Sequence, residues 1–140
     1  MIERFLVLLA LAAAIALTVL VVRAWTRRNV RSLQQAADPK AWAHLGEVSD
    51  GRRTLVTFST PSCAACHTAQ APAVKAVEAH LGPSTVRVIR VDAARRPDVA
   101  RAFGVLTVPS TIVLAPTGQV VAVNHGFAPS GRLVEQLQRA

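Results

Sequence analysis

The stretch TPSCAACHTAQ, residues 60–70, holds both cysteines of the chain. Its Cys63-Ala64-Ala65-Cys66-His67 core has two chemically incompatible readings. A Cys-x-x-Cys-His run is the attachment signature of c-type haem, whereas a Cys-x-x-Cys pair beside a βαβ pattern is a redox dithiol. The sequence on either side of the run separates the two.

Immediately upstream, TLVTFS (Thr54 to Ser59) is β-branched and aromatic and reads as a buried strand that runs straight into the cysteines. From Ala64 to Leu81 the spacing turns helical, with Val74, Val77 and Leu81 on one face, and Gly82-Pro83 ends it. Pro72 should kink this helix by removing a hydrogen bond to Thr68. TVRVIRVD (Thr85 to Asp92) is a second strand, and Pro97 and Gly104 bracket a short helix over PDVARAF. After GVLTVPS come the strand TIVLA, the turn Pro116-Thr117-Gly118 and a fourth strand, Gln119 to Val123. A last helix, Ser130 to Arg139, turns Leu133, Val134 and Leu137 toward the core. Ahead of all of these, residues 31–50 give a short helix interrupted at Asp38-Pro39 and finished near Gly46, docked through Trp42 and Leu45.

Strands alternating with helices favour parallel pairing of the first two strands, and the short Pro-Thr-Gly turn favours an antiparallel hairpin for the last two. With a right-handed crossover the chain is an α/β fold, a mixed four-stranded sheet flanked by helices on both faces.

The place of the cysteines has a chemical consequence. At the carboxyl end of a strand and the amino end of a helix, unpaired backbone N–H groups and the helix dipole favour an anion, so Cys63 should ionise more readily than a free thiol. Cys63 is then the nucleophile. Cys66, one helical turn on, is close enough to form a disulfide with it or to resolve a mixed disulfide held on it.

Strand, Cys-x-x-Cys, helix and then Val108-Pro109-Ser110 ahead of a hairpin: this arrangement resembles the thioredoxin superfamily over roughly residues 50–140. The resemblance implies a thioredoxin-like fold with Pro109 as a cis proline facing the active-site disulfide. It also implies that Val108 offers backbone to an extended substrate segment and that Gly126 lies beside the same groove. The activity implied is thiol-disulfide exchange on protein disulfides, recycled by an external thiol reductant, with no organic cofactor and no metal. The chain departs from the family's usual pattern at several positions. Ser62 replaces a tryptophan, Ala64-Ala65 replace Gly-Pro, Thr57 replaces a buried aspartate, and an aligned Val88 replaces its lysine partner. The family's helix proline falls one position earlier than Pro72. The expected site is therefore an exchange site without the usual internal base.

Other readings are weaker. Haem at CAACH would take His67 as proximal ligand and needs a distal one from Met1, His44, His80 or His125, and nothing around those residues suggests a haem pocket. Zinc would need four ligands, which two cysteines and the adjoining His67 cannot close within one turn. A structural disulfide across two residues closes too small a loop to stabilise much through chain entropy. His67 reads as a surface neighbour of the thiols, and His125 as a solvated loop residue near the groove. From a different class comes a binding or adaptor module that keeps the fold for contacts while its cysteines are slow or idle; the missing aspartate and tryptophan support it.

FLVLLALAAAIALTVLVV, Phe5 to Val22, carries no charge and a single hydroxyl. At roughly 1.5 Å per residue it just crosses a bilayer core. It reads as a retained transmembrane helix, because the apolar run continues beyond the small residues at which a signal peptide would be cleaved. The expected organisation is a short tail (1–4), the membrane helix (5–22), a basic juxtamembrane segment with the first helix (23–49), and the thioredoxin-like domain (50–140). The net charge of +8 divides evenly. Residues 1–31 hold five arginines against Glu3, and the remainder eleven basic against seven acidic residues, so each part carries +4. The domain's arginines are scattered with few aromatics among them, which argues against nucleic acid as a partner. Arg23, Arg27, Arg28 and Arg31 follow the apolar run and only Arg4 precedes it, so the positive-inside rule places the domain in the cytoplasm. An outward-facing domain is the alternative.

Overall fold

A computed structural model describes residues 15–21 and 40–140. The chain falls into two compact units, Met1–Leu33 and Gln34–Ala140. In the first, residues 15–21 are helical, and Ile15, Leu17, Val19, Leu20 and Val21 are all exposed. Among the described residues no helix is long and apolar enough to cross a membrane. The rest of the expected 5–22 span, the arginines that follow it and Asp38-Pro39 lie outside the described residues.

In the second unit the order is α1 (Ala41–Leu45), β1 (Arg53–Ser59), a π-helical turn (Cys66–Gln70) leading into α2 (Ala71–Leu81), β2 (Val86–Asp92), α3 (Pro97–Ala102), β3 (Ser110–Leu114), β4 (Val120–His125) and α4 (Ser130–Gln138). The four strands form one sheet in the order β2-β1-β3-β4. β1 runs parallel to β2 and antiparallel to β3, and β3 pairs antiparallel with β4, as the alternation and the short turn require. β4 runs on through Asn124 and His125 because Thr111 and Ser110 of β3 supply it with pairing partners there. Two polar residues in a row hide that extension from a hydrophobicity pattern.

β1 and β3 are the inner strands, and their apolar side chains alternate between two cores. Val56, Phe58, Ile112 and Leu114 face one side and pack with Trp42 and Leu45 of α1 and Val99 of α3. Leu55 and Val113 face the other, against Val74 and Val77 of α2 and Leu133 and Leu137 of α4. Removing each such side chain from water is worth roughly 1.5–3 kcal/mol. Both faces of the sheet are thus covered, which leaves the loops at the carboxyl ends of β1 and β2 as the rim available for chemistry.

The brief α1 is held by its termination. Gly46 adopts φ 69°, its N–H bonds the Ala43 carbonyl, and the Glu47 N–H bonds that of Trp42. The last two carbonyls, of His44 and Leu45, accept from the Arg96 guanidinium at the start of α3. Every orphan carbonyl at that helix end has a donor.

Candidate functional site

β1 ends at Ser59, and a turn through Pro61 and Ser62 delivers Cys63 to the position just before the helix, which begins at Ala64, the Cys63 N–H donating to the Thr60 carbonyl at 3.1 Å. Cys63 and Cys66 are joined by a disulfide with Cα atoms 5.3 Å apart. The two sulfurs are not equivalent. Cys63 is half-buried, whereas Cys66 is only 4% exposed and its backbone N–H reaches the Cys63 Sγ at 3.1 Å. Ser62, Ala64, Ala65 and His67 are exposed around the pair, and His67 Nε2 lies 3.2 Å from the Pro61 carbonyl. Among the described residues no three His, Cys, Asp or Glu side chains are grouped as metal ligands.

The helix does not simply kink at Pro72. Cys66–Gln70 widens into a π-helical turn, in which the Ala71 N–H bonds the Cys66 carbonyl, and α2 continues regularly with Pro72 in its first turn. A π turn accommodates one extra residue in a helix. The π turn lies between Cys66 and Pro72, the interval that is one residue longer here than in the family's usual pattern.

The Val108-Pro109 peptide bond is cis. Ser110 stands opposite Phe58 on β1 and His125 on β4, so Pro109 lies at the same end of the sheet as Ser59 and the cysteines. The Pro109 carbonyl accepts the Gly126 N–H at 2.9 Å. Gly126 has φ 84°, a backbone conformation that favours glycine. Val108 is half-buried and Pro109 buried. The sequence-derived residues Cys63, Cys66, Val108, Pro109 and Gly126 therefore share one edge of the sheet.

Thr57 is buried in β1, between Arg90 of β2 and Thr111 of β3. On this face the sheet carries an apolar row, Leu55–Val113–Ala122, and one step nearer the cysteines a polar row, Thr57–Thr111–Asn124. The Asn124 amide donates to Thr111 Oγ1 at 3.0 Å and to Gln136 Oε1 of α4 at 2.8 Å, and Gln136 returns a bond to Asn124 Oδ1 at 2.9 Å. Thr57, Thr111 and Asn124 are all neutral, and the charge in the row is that of Arg90 at its β2 end. Val88 packs against the apolar cluster on the same face, and the nearby Arg90 is turned outward to Glu78 at 2.9 Å.

A thioredoxin family model matches residues 38–139. The chain belongs to the thioredoxin family. Over 76 residues it is 33% identical to the SPbeta prophage-derived thioredoxin-like protein YosR of Bacillus subtilis (strain 168), covering 54% of this chain and 85% of that one. Over 93 residues it is 28% identical to thioredoxin of the same organism, covering 66% and 86%. Among solved structures, chloroplastic thioredoxin z superposes with a TM-score of 0.58 at 20% identity, covering 71% of this chain and 83% of that one. Fasciola hepatica thioredoxin gives 0.56 at 24%, covering 65% and 83%. The last two speak to the fold. As a thioredoxin-family protein with a Cys63–Cys66 disulfide, the chain is at the general level a thiol-disulfide oxidoreductase.

Gln70 escaped the sequence reading. It is buried in the π turn and pairs through both ends of its amide with the backbone of Ala128, Nε2 to the carbonyl at 3.1 Å and Oε1 from the N–H at 2.9 Å. The signal was there in the spacing. Cys66, Gln70, Val74 and Val77 form a single buried stripe, so a polar residue on it needed an internal partner.

Proposed function

We propose that this protein is a membrane-tethered thiol-disulfide oxidoreductase that reduces disulfides in protein substrates. The observation that carries the reading is the asymmetry of the pair: a half-exposed Cys63 Sγ within 3.1 Å of the Cys66 N–H, and a buried Cys66. In the reduced protein the Cys63 thiolate attacks a substrate sulfur, forming a mixed disulfide and expelling the other substrate sulfur as a thiolate that takes up a proton. The Cys66 thiol, giving up its proton, attacks Cys63 Sγ and releases the second substrate thiol. Two electrons have then passed from the dithiol to the substrate, and an external thiol reductant returns them. The Val108 backbone, with Pro109 and Gly126, lines the groove in which the substrate segment lies extended.

Tethering rests on the uncharged run Phe5 to Val22. Its described part supports the reading, because residues 15–21 are uncharged, with Ile15, Leu17, Val19, Leu20 and Val21 exposed and Thr18 the single hydroxyl. The arginines at 23–31 favour a cytoplasmic domain, and hence net reduction.

Mixed-disulfide trapping tests the chemistry. Cys66→Ser should accumulate covalent adducts with protein substrates that wild type and Cys63→Ser do not, and absence of such adducts would defeat the two-step scheme. Insulin reduction with a thiol reductant separates this reading from an adaptor, which would show no acceleration over the reductant alone. For topology, Ser84→Cys in a background lacking both native cysteines should resist an impermeant thiol reagent in intact cells. Ready labelling would place the domain outside.

A further inference from the structure

We propose that Gln70 is a positioning residue which clamps the turn between β4 and α4 to the Cys63–Cys66 helix, and that Phe127, held at the tip of that turn, is a specificity-determining contact for protein substrates. This rests on the thiol-disulfide reading above.

Phe127 sits between two anchored neighbours. On one side the Gly126 N–H donates to the Pro109 carbonyl at 2.9 Å. On the other, both backbone polar groups of Ala128 are taken by the Gln70 amide, and Ala128 is fully buried. The turn is therefore tied to two other walls of the site, the cis-proline loop and the helix that carries the cysteines. Between the ties the Phe127 side chain remains 50% exposed. An aromatic side chain with two χ angles on a fixed backbone gives up little conformational freedom when a partner covers it, so its burial appears in affinity rather than being spent on ordering.

Gln70 ends the π turn and lies on the buried stripe between Cys66 and Val74, where a side chain of a different length or without both a donor and an acceptor would leave the Ala128 N–H or carbonyl unpaired in the interior. Loss of the amide should loosen the turn without removing either sulfur. Large substrates that reach the rim then suffer, and small ones that meet only the sulfurs do not.

The test uses the full chain, with insulin as a protein disulfide and a small aryl disulfide as a probe that touches little beyond Cys63. Gln70→Met should raise the KM for insulin several-fold, because a loosened Phe127 must be ordered again when substrate covers it, and lower kcat/KM for insulin much more than for the aryl disulfide. Phe127→Ala should raise the insulin KM similarly, and the double variant should be no worse than Phe127→Ala, since Gln70 acts through that side chain. The proposal is overturned by an unmoved insulin KM in either single variant, by equal losses on both substrates, or by effects that multiply in the double variant. Should Gln70→Met fail to fold, the surface variant Phe127→Ala still decides, because an unchanged KM there removes the contact. A wild-type protein inert toward both disulfides would instead overturn the underlying activity, and this inference with it.

Discussion

The backbone N–H of Cys66 points at the Sγ of Cys63 across 3.1 Å, while the Cys66 side chain itself is buried. Once the disulfide is reduced, a donor with no helical acceptor at the start of the helix stabilises a thiolate on Cys63, and burial works against one on Cys66. In reduced protein near neutral pH, iodoacetamide should therefore modify Cys63 at least about ten-fold faster than Cys66. Mass-spectrometric timing of the two adducts measures this, and equal rates would remove the polarity on which the proposed order of attack depends.

Restoring an acid at position 57 should cost stability in a pH-dependent way. The site is buried in the inner strand β1, its neighbours Thr111 and Asn124 are neutral, Val88 supplies no positive charge, and the register partner Arg90 is engaged by Glu78. Burial raises the carboxyl pKa of Thr57→Asp above its unfolded value of about 4, so the folded state holds the protonated form. The charge-dependent penalty is absent below that unfolded value and grows as pH rises toward the raised folded one. Relative to wild type the variant should lose about 2 kcal/mol or more at neutral pH, and less near pH 4. Denaturant midpoints at the two pH values measure it; an equal loss at both would show that the carboxylate finds a partner.

Glycine to alanine should have opposite signs at two positions where space is open. At Gly126 an added Cβ meets nothing within 4 Å, so the cost is the positive φ of 84° alone. Gly126→Ala should destabilise by about 1–2 kcal/mol. Gly131 lies within α4 with the same free space. Gly131→Ala should stabilise by about 0.4–1 kcal/mol, chiefly by lowering the conformational entropy of the unfolded chain. Chemical denaturation of the pair is the measurement, and a shared sign would contradict one of these two backbone effects.

The helix-strand order and the parallel and antiparallel pairings were legible from local patterns, namely β-branched runs, Gly and Pro punctuation and a cysteine pair at a strand end, whereas the gathering of Cys63, Pro109 and Gly126 at one edge was implied only by the resemblance to the thioredoxin superfamily. The extension of β4 through Asn124 and His125 was not, since only the backbone partners on β3 make a strand of two polar residues. The π turn was half legible. The displaced Pro72 announced an irregularity, but whether a helix kinks or widens depends on which carbonyls its N–H groups reach in three dimensions. The spacing of Gln70 from Cys66 and Val74 signalled its burial, but its partner is a backbone 58 positions away, and no spacing rule encodes a contact between a side chain and a distant peptide unit.

The reciprocal amide pair of Asn124 and Gln136 provides a last measurement, and it bears on the polar row beside the site. Each side chain both donates to and accepts from the other, and Asn124 also serves Thr111, whose side chain is fully buried. Truncating one partner leaves the other amide unpaired in a half-buried position, whereas replacing both by apolar residues removes the unmet need together with the bond. Asn124→Val and Gln136→Leu should each cost about 1–2 kcal/mol, and the double variant should cost less than their sum by about 1 kcal/mol. A double-mutant cycle from urea unfolding reads the coupling directly. Additive losses would mean that the two amides are separately hydrated, and that the row joining β1, β3, β4 and α4 is not held together by the bonds between them.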